Sequence, residues 1–263
     1  MTYKNYSLAF FVIYFFTSCS ATKPLVSMVS PNQIKEIGLL PPFSMVKQIS
    51  ESNEMGDGRE INEQIETNAA TIFDEIAGVA EISYSKVDLS PQSTSIIYGE
   101  IFKSLDTLLA YRSQKRKQNY PASGKFGFDE NRLLFSSLSI SDSSINVLKS
   151  FNKRFLAFIL TSGRTRTIAN AKALRRENGA KNALGLGLGL LTGYGFYSLQ
   201  NLYFCENHVL ILDTDKKNFA YYNLTQSENG DPANPSSLRD NIMKLFTNYW
   251  IEKNAETNRY IKK

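Results

Sequence analysis

The stretch Phe155-Leu156-Ala157-Phe158-Ile159-Leu160-Thr161 constrains the fold more than any other part of this chain. It has no polar side: an amphipathic helix would show one every three or four residues, and a half-solvated strand would alternate. A short continuous apolar run reads as a buried strand, and such a strand belongs in the middle of a sheet with helices packed against it. Its partners are visible downstream. Asn201 to Asp213 (NLYFCENHVLILD) reads as a second long strand, Asp213-Thr214-Asp215-Lys216-Lys217-Asn218 as a turn, and Phe219-Ala220-Tyr221-Tyr222-Asn223-Leu224 as the returning strand of a hairpin. Upstream, Ile34 to Leu40 predicts a short strand stopped by Pro41-Pro42, with a loop carrying Gly56-Asp57-Gly58 after it.

Helices are announced by period and by caps. Ile61, Ile65, Ala69, Ile72, Phe73, Ile76 and Ala80 recur at three- and four-residue spacing, which predicts a long amphipathic helix ending near Gly78 to Glu81. Ile82 to Val87 reads as a further strand. Ser90-Pro91 and Asn234-Pro235 each place a capping side chain before a proline at the first helical position. The first opens a helix with Ile97, Ile101, Phe102, Leu105, Leu108 and Leu109 on one face and a basic end from Arg112 to Lys117, which suits the negative end of the helix dipole. The second opens a final helix carrying Leu238, Ile242, Leu245, Phe246, Tyr249 and Trp250. Between them, Leu133 to Leu138 and Ile145 to Phe151 predict two short helices, the second capped by Asp142. No composition break or internal repeat divides residues 34–263. The expectation is a single α/β (α+β) domain with helices on a mixed, mostly antiparallel sheet and a C-terminal helix after the hairpin.

The first residues carry an address. Lys4, the wholly apolar Leu8 to Phe16 and the small residues Thr17-Ser18 before Cys19 form the pattern of an export signal over residues 1–18. Nine apolar residues are too few for a spanning helix, which needs about 20. Phe16-Thr17-Ser18-Cys19 resembles the lipobox of bacterial lipoproteins, with Phe where Leu is usual. That resemblance implies that Cys19 becomes the acylated first residue, tethered by residues 19–33. The absence of Asp or Glu beside Ser20 then favours the periplasmic face of the outer membrane.

Removal of the signal with Lys4 leaves about 245 residues and a formal charge near +4. Such a mild excess does not point to nucleic acid. With Cys19 lipidated, Cys205 has no partner for a disulfide and reads as a small apolar residue in a strand. His208 is the single histidine, so the usual zinc clusters are excluded and no cofactor or metal is expected. No Gly-x-Ser-x-Gly elbow accompanies His208, which reads as a solvent-facing or hydrogen-bonded structural residue. Asp213-Thr214-Asp215 lacks the Gly and Glu that a calcium loop needs further on, and a hairpin turn is preferred. No catalytic residue is expected.

One segment stands apart, an excursion over residues 162–198. A basic part with Arg164, Arg166, Lys172, Arg175, Arg176 and Lys181 leads into Ala183 to Phe196 (ALGLGLGLLTGYGF). Each glycine costs about 1 kcal/mol in a helix, so the alternation of Leu184, Leu186, Leu188 and Leu190 with glycine predicts an extended strand or hairpin. It would either cover the domain's own core or touch lipid or a neighbouring subunit, with Arg175, Arg176 and Lys181 facing anionic headgroups. It does not form a phosphate-binding fingerprint, since Leu190 stands where the third glycine belongs.

The order of elements, with Leu39-Leu40-Pro41-Pro42, Val209-Leu210-Ile211-Leu212-Asp213 and the lipobox, resembles a broad group of bacterial envelope lipoproteins. It includes the curli-secretion lipoprotein and the periplasmic activators of peptidoglycan synthases. The resemblance implies proteins that bind or assemble without cofactors; the curli-type member forms an oligomeric pore by donating hairpins to the membrane. The expectation is a non-catalytic, membrane-anchored binding or assembly factor. It would be held by N-terminal acyl groups and paired with an envelope protein, and a homo-oligomer is compatible with it. Two alternatives are a secretion or pore subunit using residues 183–196 and an unrecognised envelope enzyme.

Overall fold

The computed structural model describes residues 25–118, 138–192 and 200–263, with backbone alone for 111–118 and 183–192. The run at Phe155 is the start of β6 (Phe155–Arg166), the strand around which the sheet is ordered. Along one edge β6 pairs antiparallel with β7 (Phe204–Asp213), from Phe155 opposite Asp213 to Arg164 opposite Phe204. β7 turns into β8 (Asn218–Ser227), and β8 pairs with the short β1 (Val26–Ser27).

The other edge of β6 is shared by two parallel strands in succession. β2 (Glu36–Leu39) lies against Leu156 and Ala157, and β3 (Phe43–Ile49) lies against Leu160 to Arg166. Pro41-Pro42 stands between them. Proline lacks the amide a ladder needs, so pairing lapses at the two prolines after Leu40 N donates to Ala157 O at 2.9 Å, and it resumes at Phe43. The predicted strand end was therefore right, but the chain goes on as a strand where a loop was expected. β5 (Ser83–Lys86) extends the sheet beyond β2, and β4 (Met55–Asp57) pairs antiparallel with the end of β3. The sheet is mixed and largely antiparallel, within a single α/β domain.

Helices cover both faces, which is why Phe155 to Thr161 has no polar side. Phe155, Ala157 and Ile159 join one core with Ile65, Ile72 and Phe73 of α1 (Arg59–Ala80) and with Leu238, Ile242 and Phe246 of α5 (Pro235–Phe246). Leu156, Phe158 and Leu160 join the other, with Ile97, Ile101 and Leu105 of α2 (Pro91–Gln118) and Ile145 and Leu148 of α3 (Asp142–Lys149). Caps act where the sequence placed them: Ser90 Oγ accepts from Ser93 N at 3.2 Å, and Asn234 Oδ1 from Ser236 N and Ser237 N at 3.0 and 3.1 Å. The cap of α3 is Ser141 instead of Asp142, which sits in the first turn and pairs with Lys217 at 2.7 Å.

Four expectations are corrected. First, the tether is shorter than residues 19–33: Val26 and Val29 are buried, and Met28 N donates to Ala220 O at 2.8 Å. Second, β6 runs on through Ser162 to Arg166, so the excursion between the long strands begins only at 167. Third, residues 183–192 are not a strand; they continue α4 (Ile168–Thr192). Once a helix is nucleated each added residue gains a hydrogen bond, and that propagation carries the helix through glycines whose propensity opposes it. Fourth, the final helix stops at Phe246, before Tyr249 and Trp250, and β9 (Ile251–Lys253) and β10 (Tyr260–Lys262) follow as a separate hairpin. Trp250 nonetheless stacks on Phe246 with centroids 5.2 Å apart. The predicted short helix near Leu133 and the segment 193–196 lie outside the described residues.

Candidate functional surface

Three sequence-marked positions are engaged or buried within the fold. His208 is 2% exposed; its Nε2 lies 2.7 Å from Glu206 Oε1 and its Nδ1 3.1 Å from Tyr222 OH. A carboxylate only accepts, so for the neutral ring Nε2–H donates to Glu206 and the Tyr222 hydroxyl donates to Nδ1. Of the two placements the sequence allowed, solvent-facing or hydrogen-bonded, the histidine takes the second: it is buried, not solvent-facing. Cys205 is buried in β7, and burial pushes its thiol up to about 11. Asp213 holds the hairpin turn: Arg154 donates to both carboxylate oxygens at 3.1 and 2.9 Å, and the amides of Asp215 and Lys216 donate to Oδ1. Among the described residues no cluster of three His, Cys, Asp or Glu could hold a metal.

The positions read as membrane or partner contacts are placed in part. Arg175 and Arg176 are exposed on α4, and Lys181 is half-buried and bonded to Glu177 at 2.6 Å, one turn away. Leu184, Leu186, Leu188 and Leu190 follow on the helical backbone, their side chains outside the described residues. Cys19 also lies outside them. No helix among the described residues is long and apolar enough to cross a membrane.

The structure brings together a group that the sequence did not. β3 and β6 run parallel and end side by side, Ile49 opposite Arg166, and a crevice outside the carboxyl ends of such strands is where α/β sheets commonly bind ligands. Here the cavity is about 540 Å³, walled by α4 through Asn170, Leu174 and Glu177 and floored by Ile49, Arg164 and Arg166. Arg166 is built in: Nε donates to Leu202 O and Nη1 to Asn170 Oδ1, both at 2.7 Å, and Asn170 Nδ2 donates to Ser50 O and Asn53 Oδ1 at 2.8 Å. Burial, and then the positive charge of Arg164, hold its guanidinium below the ordinary range. Arg164 Nε is shut off from solvent with no hydrogen-bond partner. Neither arginine has an ion pair among the described residues. The signal that could have located the pair was the alternation Ser162, Arg164, Arg166, which continues the strand beyond its apolar run.

No family model matches the chain, and no curated protein matches it. Among solved structures it is similar to the LpoB C-terminal domain from Salmonella enterica, at 7% identity and a TM-score of 0.25, over 77% of this chain and 87% of that one. A likeness of that size defines neither a shared fold nor a shared site.

Proposed function

We propose that the protein is a lipid-anchored, non-catalytic binding or assembly factor of the bacterial envelope, facing the periplasm from the outer membrane. The observation that carries this reading is the shortness of the link between the lipobox cysteine and the domain. Six residues separate Cys19 from Val26, which is buried in β1 at the sheet edge. At 3.3 to 3.6 Å per extended residue, they reach about 25 Å at most. An acylated Cys19 therefore keeps the domain against the headgroups, where it meets membrane-bound partners rather than scanning the periplasm. Engagement of both His208 ring nitrogens and of the Asp213 carboxylate within the fold supports a role without catalysis. The helical path through Thr192 supports a binding factor over a hairpin-donating pore subunit, which would need strands there.

Membrane fractionation of wild type beside Cys19→Ala, the variant exported by a non-lipoprotein signal, tests this. A soluble variant supports the single lipid anchor. A variant that stays in the membrane at high salt overturns it. Turnover of any envelope substrate that survives Cys19→Ala and is lost in His208→Ala would overturn the non-catalytic reading.

A further inference from the structure

Among the described residues, the two arginines at the end of β6 have no ion-pair partner. Glu177 lines the same crevice but is held by Lys181 at 2.6 Å, and Glu51 is exposed on the rim with no ion pair to either guanidinium. A buried donor left unsatisfied carries a desolvation cost, and two adjacent like charges add to that. A strand that carries Arg164 and Arg166 on one side, with Asn170 and Asn53 bracing the second, therefore bears a like-charge cost that an incoming carboxylate offsets. Arg164 retains its planar fork for a bidentate contact.

We propose that this crevice docks an acidic segment of a partner protein: a carboxylate seats on Arg164 and Arg166, and a neighbouring apolar side chain lies against Met55. The identity of the ligand follows from charge and surface together. Glu51 and Glu177 line the cavity beside the two guanidinium groups, so a singly charged carboxylate meets less like-charge repulsion there than a doubly charged phosphate. One side chain at the cavity is a large exposed hydrophobe, which a free ion would not need. Met55 is 67% exposed beside the cavity. A large exposed apolar side chain beside a partly desolvated cation is the composition of an interface centre. The proposal rests on the reading of the protein as a binding factor and says where such a factor would bind.

The test uses the full-length protein in detergent micelles and two labelled peptides, acetylated and amidated: Leu-Leu-Glu-Leu-Ser and its twin with Gln in place of Glu. The expected result is at least tenfold tighter binding of the acidic peptide. Arg164→Gln removes that preference with the melting temperature unchanged, Arg164→Lys keeps a few-fold of it, and Met55→Ala weakens both peptides equally. Should Arg164→Gln fail to fold, Arg164→Lys and Met55→Ala carry the test. Equal binding of the twins, no binding, or a preference that survives Arg164→Gln overturns the proposal. Inorganic phosphate that displaces the peptide at equal concentration also overturns it, in favour of a small-anion pocket. These failures leave membrane anchoring through Cys19 untouched, whereas a Cys19→Ala variant that still sediments with membranes leaves the peptide preference untouched.

Discussion

The two halves of β6 face opposite conditions within one strand. From Phe155 to Leu160 every side chain is buried, the odd positions under α1 and α5 and the even positions under α2 and α3. From Thr161 to Arg166 only the first face is closed, and it is closed by polar groups. Thr161 Oγ1 donates to Asn207 Oδ1 at 2.8 Å, and Thr165 Oγ1 to Asp231 Oδ1 at 2.7 Å. The second face, with Ser162, Arg164 and Arg166, is half-exposed. One half thus serves apolar packing on both faces, whereas the other carries a charged surface on its open face. Substitutions should separate the halves.

The largest effect belongs to the inner half. Phe158 is 0% exposed and packs against the rings of Tyr98 and Phe102 at 5.1 and 6.3 Å. Phe158→Ala should cost about 3–5 kcal/mol by lost burial and an unfilled cavity, read by denaturant unfolding. Ser162→Ala, on the same side of the strand, should stay within about 0.5 kcal/mol. Comparable losses would mean that the outer half contributes to stability as much as the inner.

Gly163 marks the join. Its φ is +150°, and a Cβ there would fall 2.1 Å from Phe204 O on the neighbouring strand. Gly163→Ala therefore meets both a disfavoured backbone conformation, worth about 1–3 kcal/mol, and a clash with main chain that cannot swing aside. It should destabilise clearly while Ser162→Ala does not, with the same unfolding measurement deciding.

Much of this layout was legible in the sequence because it rests on local signals. The Phe155 run, the α1 stripe and the Ser90-Pro91 and Asn234-Pro235 caps each act within a few residues and survived folding unchanged. What escaped depends on distant chain. β3 mixes Ser44, Lys47 and Gln48 with apolar residues and reads as loop. It becomes a strand because β6 pairs along one edge while Asn62 of α1 bonds the other, accepting from Val46 N at 2.8 Å and donating to Val46 O at 3.2 Å. The crevice was invisible for the same reason: Arg164 and Arg166 read as part of a basic run with Arg175 and Arg176, and only the β3–β6 register separates the two pairs. The glycine-alternating stretch misled because propensity was weighed without the helix already running into it.

Chemical reactivity offers a finer comparison of the two faces. Cys205 lies opposite Gly163, on the closed side of the outer half. With its thiol pushed up to about 11 by burial, it carries almost no thiolate at neutral pH. Iodoacetamide should leave Cys205 unmodified in the native protein and label it on unfolding. Native labelling at the rate of a free thiol would show that this face opens as readily as the arginine side.

The smallest expected effect concerns the helix that closes the edge of β3. Glu66 of α1 accepts from Ser44 N at 2.9 Å, yet burial, the largest influence, raises its carboxyl above the ordinary value; the Ser44 bond opposes the rise and the Glu63 charge adds to it. Between the unfolded and folded values the native chain holds the proton more tightly. The favourable contribution is therefore complete below the unfolded value and fades as pH rises through the folded one. Glu66→Gln keeps an oxygen for Ser44 and has no proton to lose. Its stability relative to wild type should improve as pH rises from about 3 to about 7, measured by urea unfolding across that range. A relative loss over the same range would mean that the charged carboxylate's bond to the β3 edge outweighs its burial. The outer half of the sheet would then be held by charge on its closed side as well as offering charge on its open one.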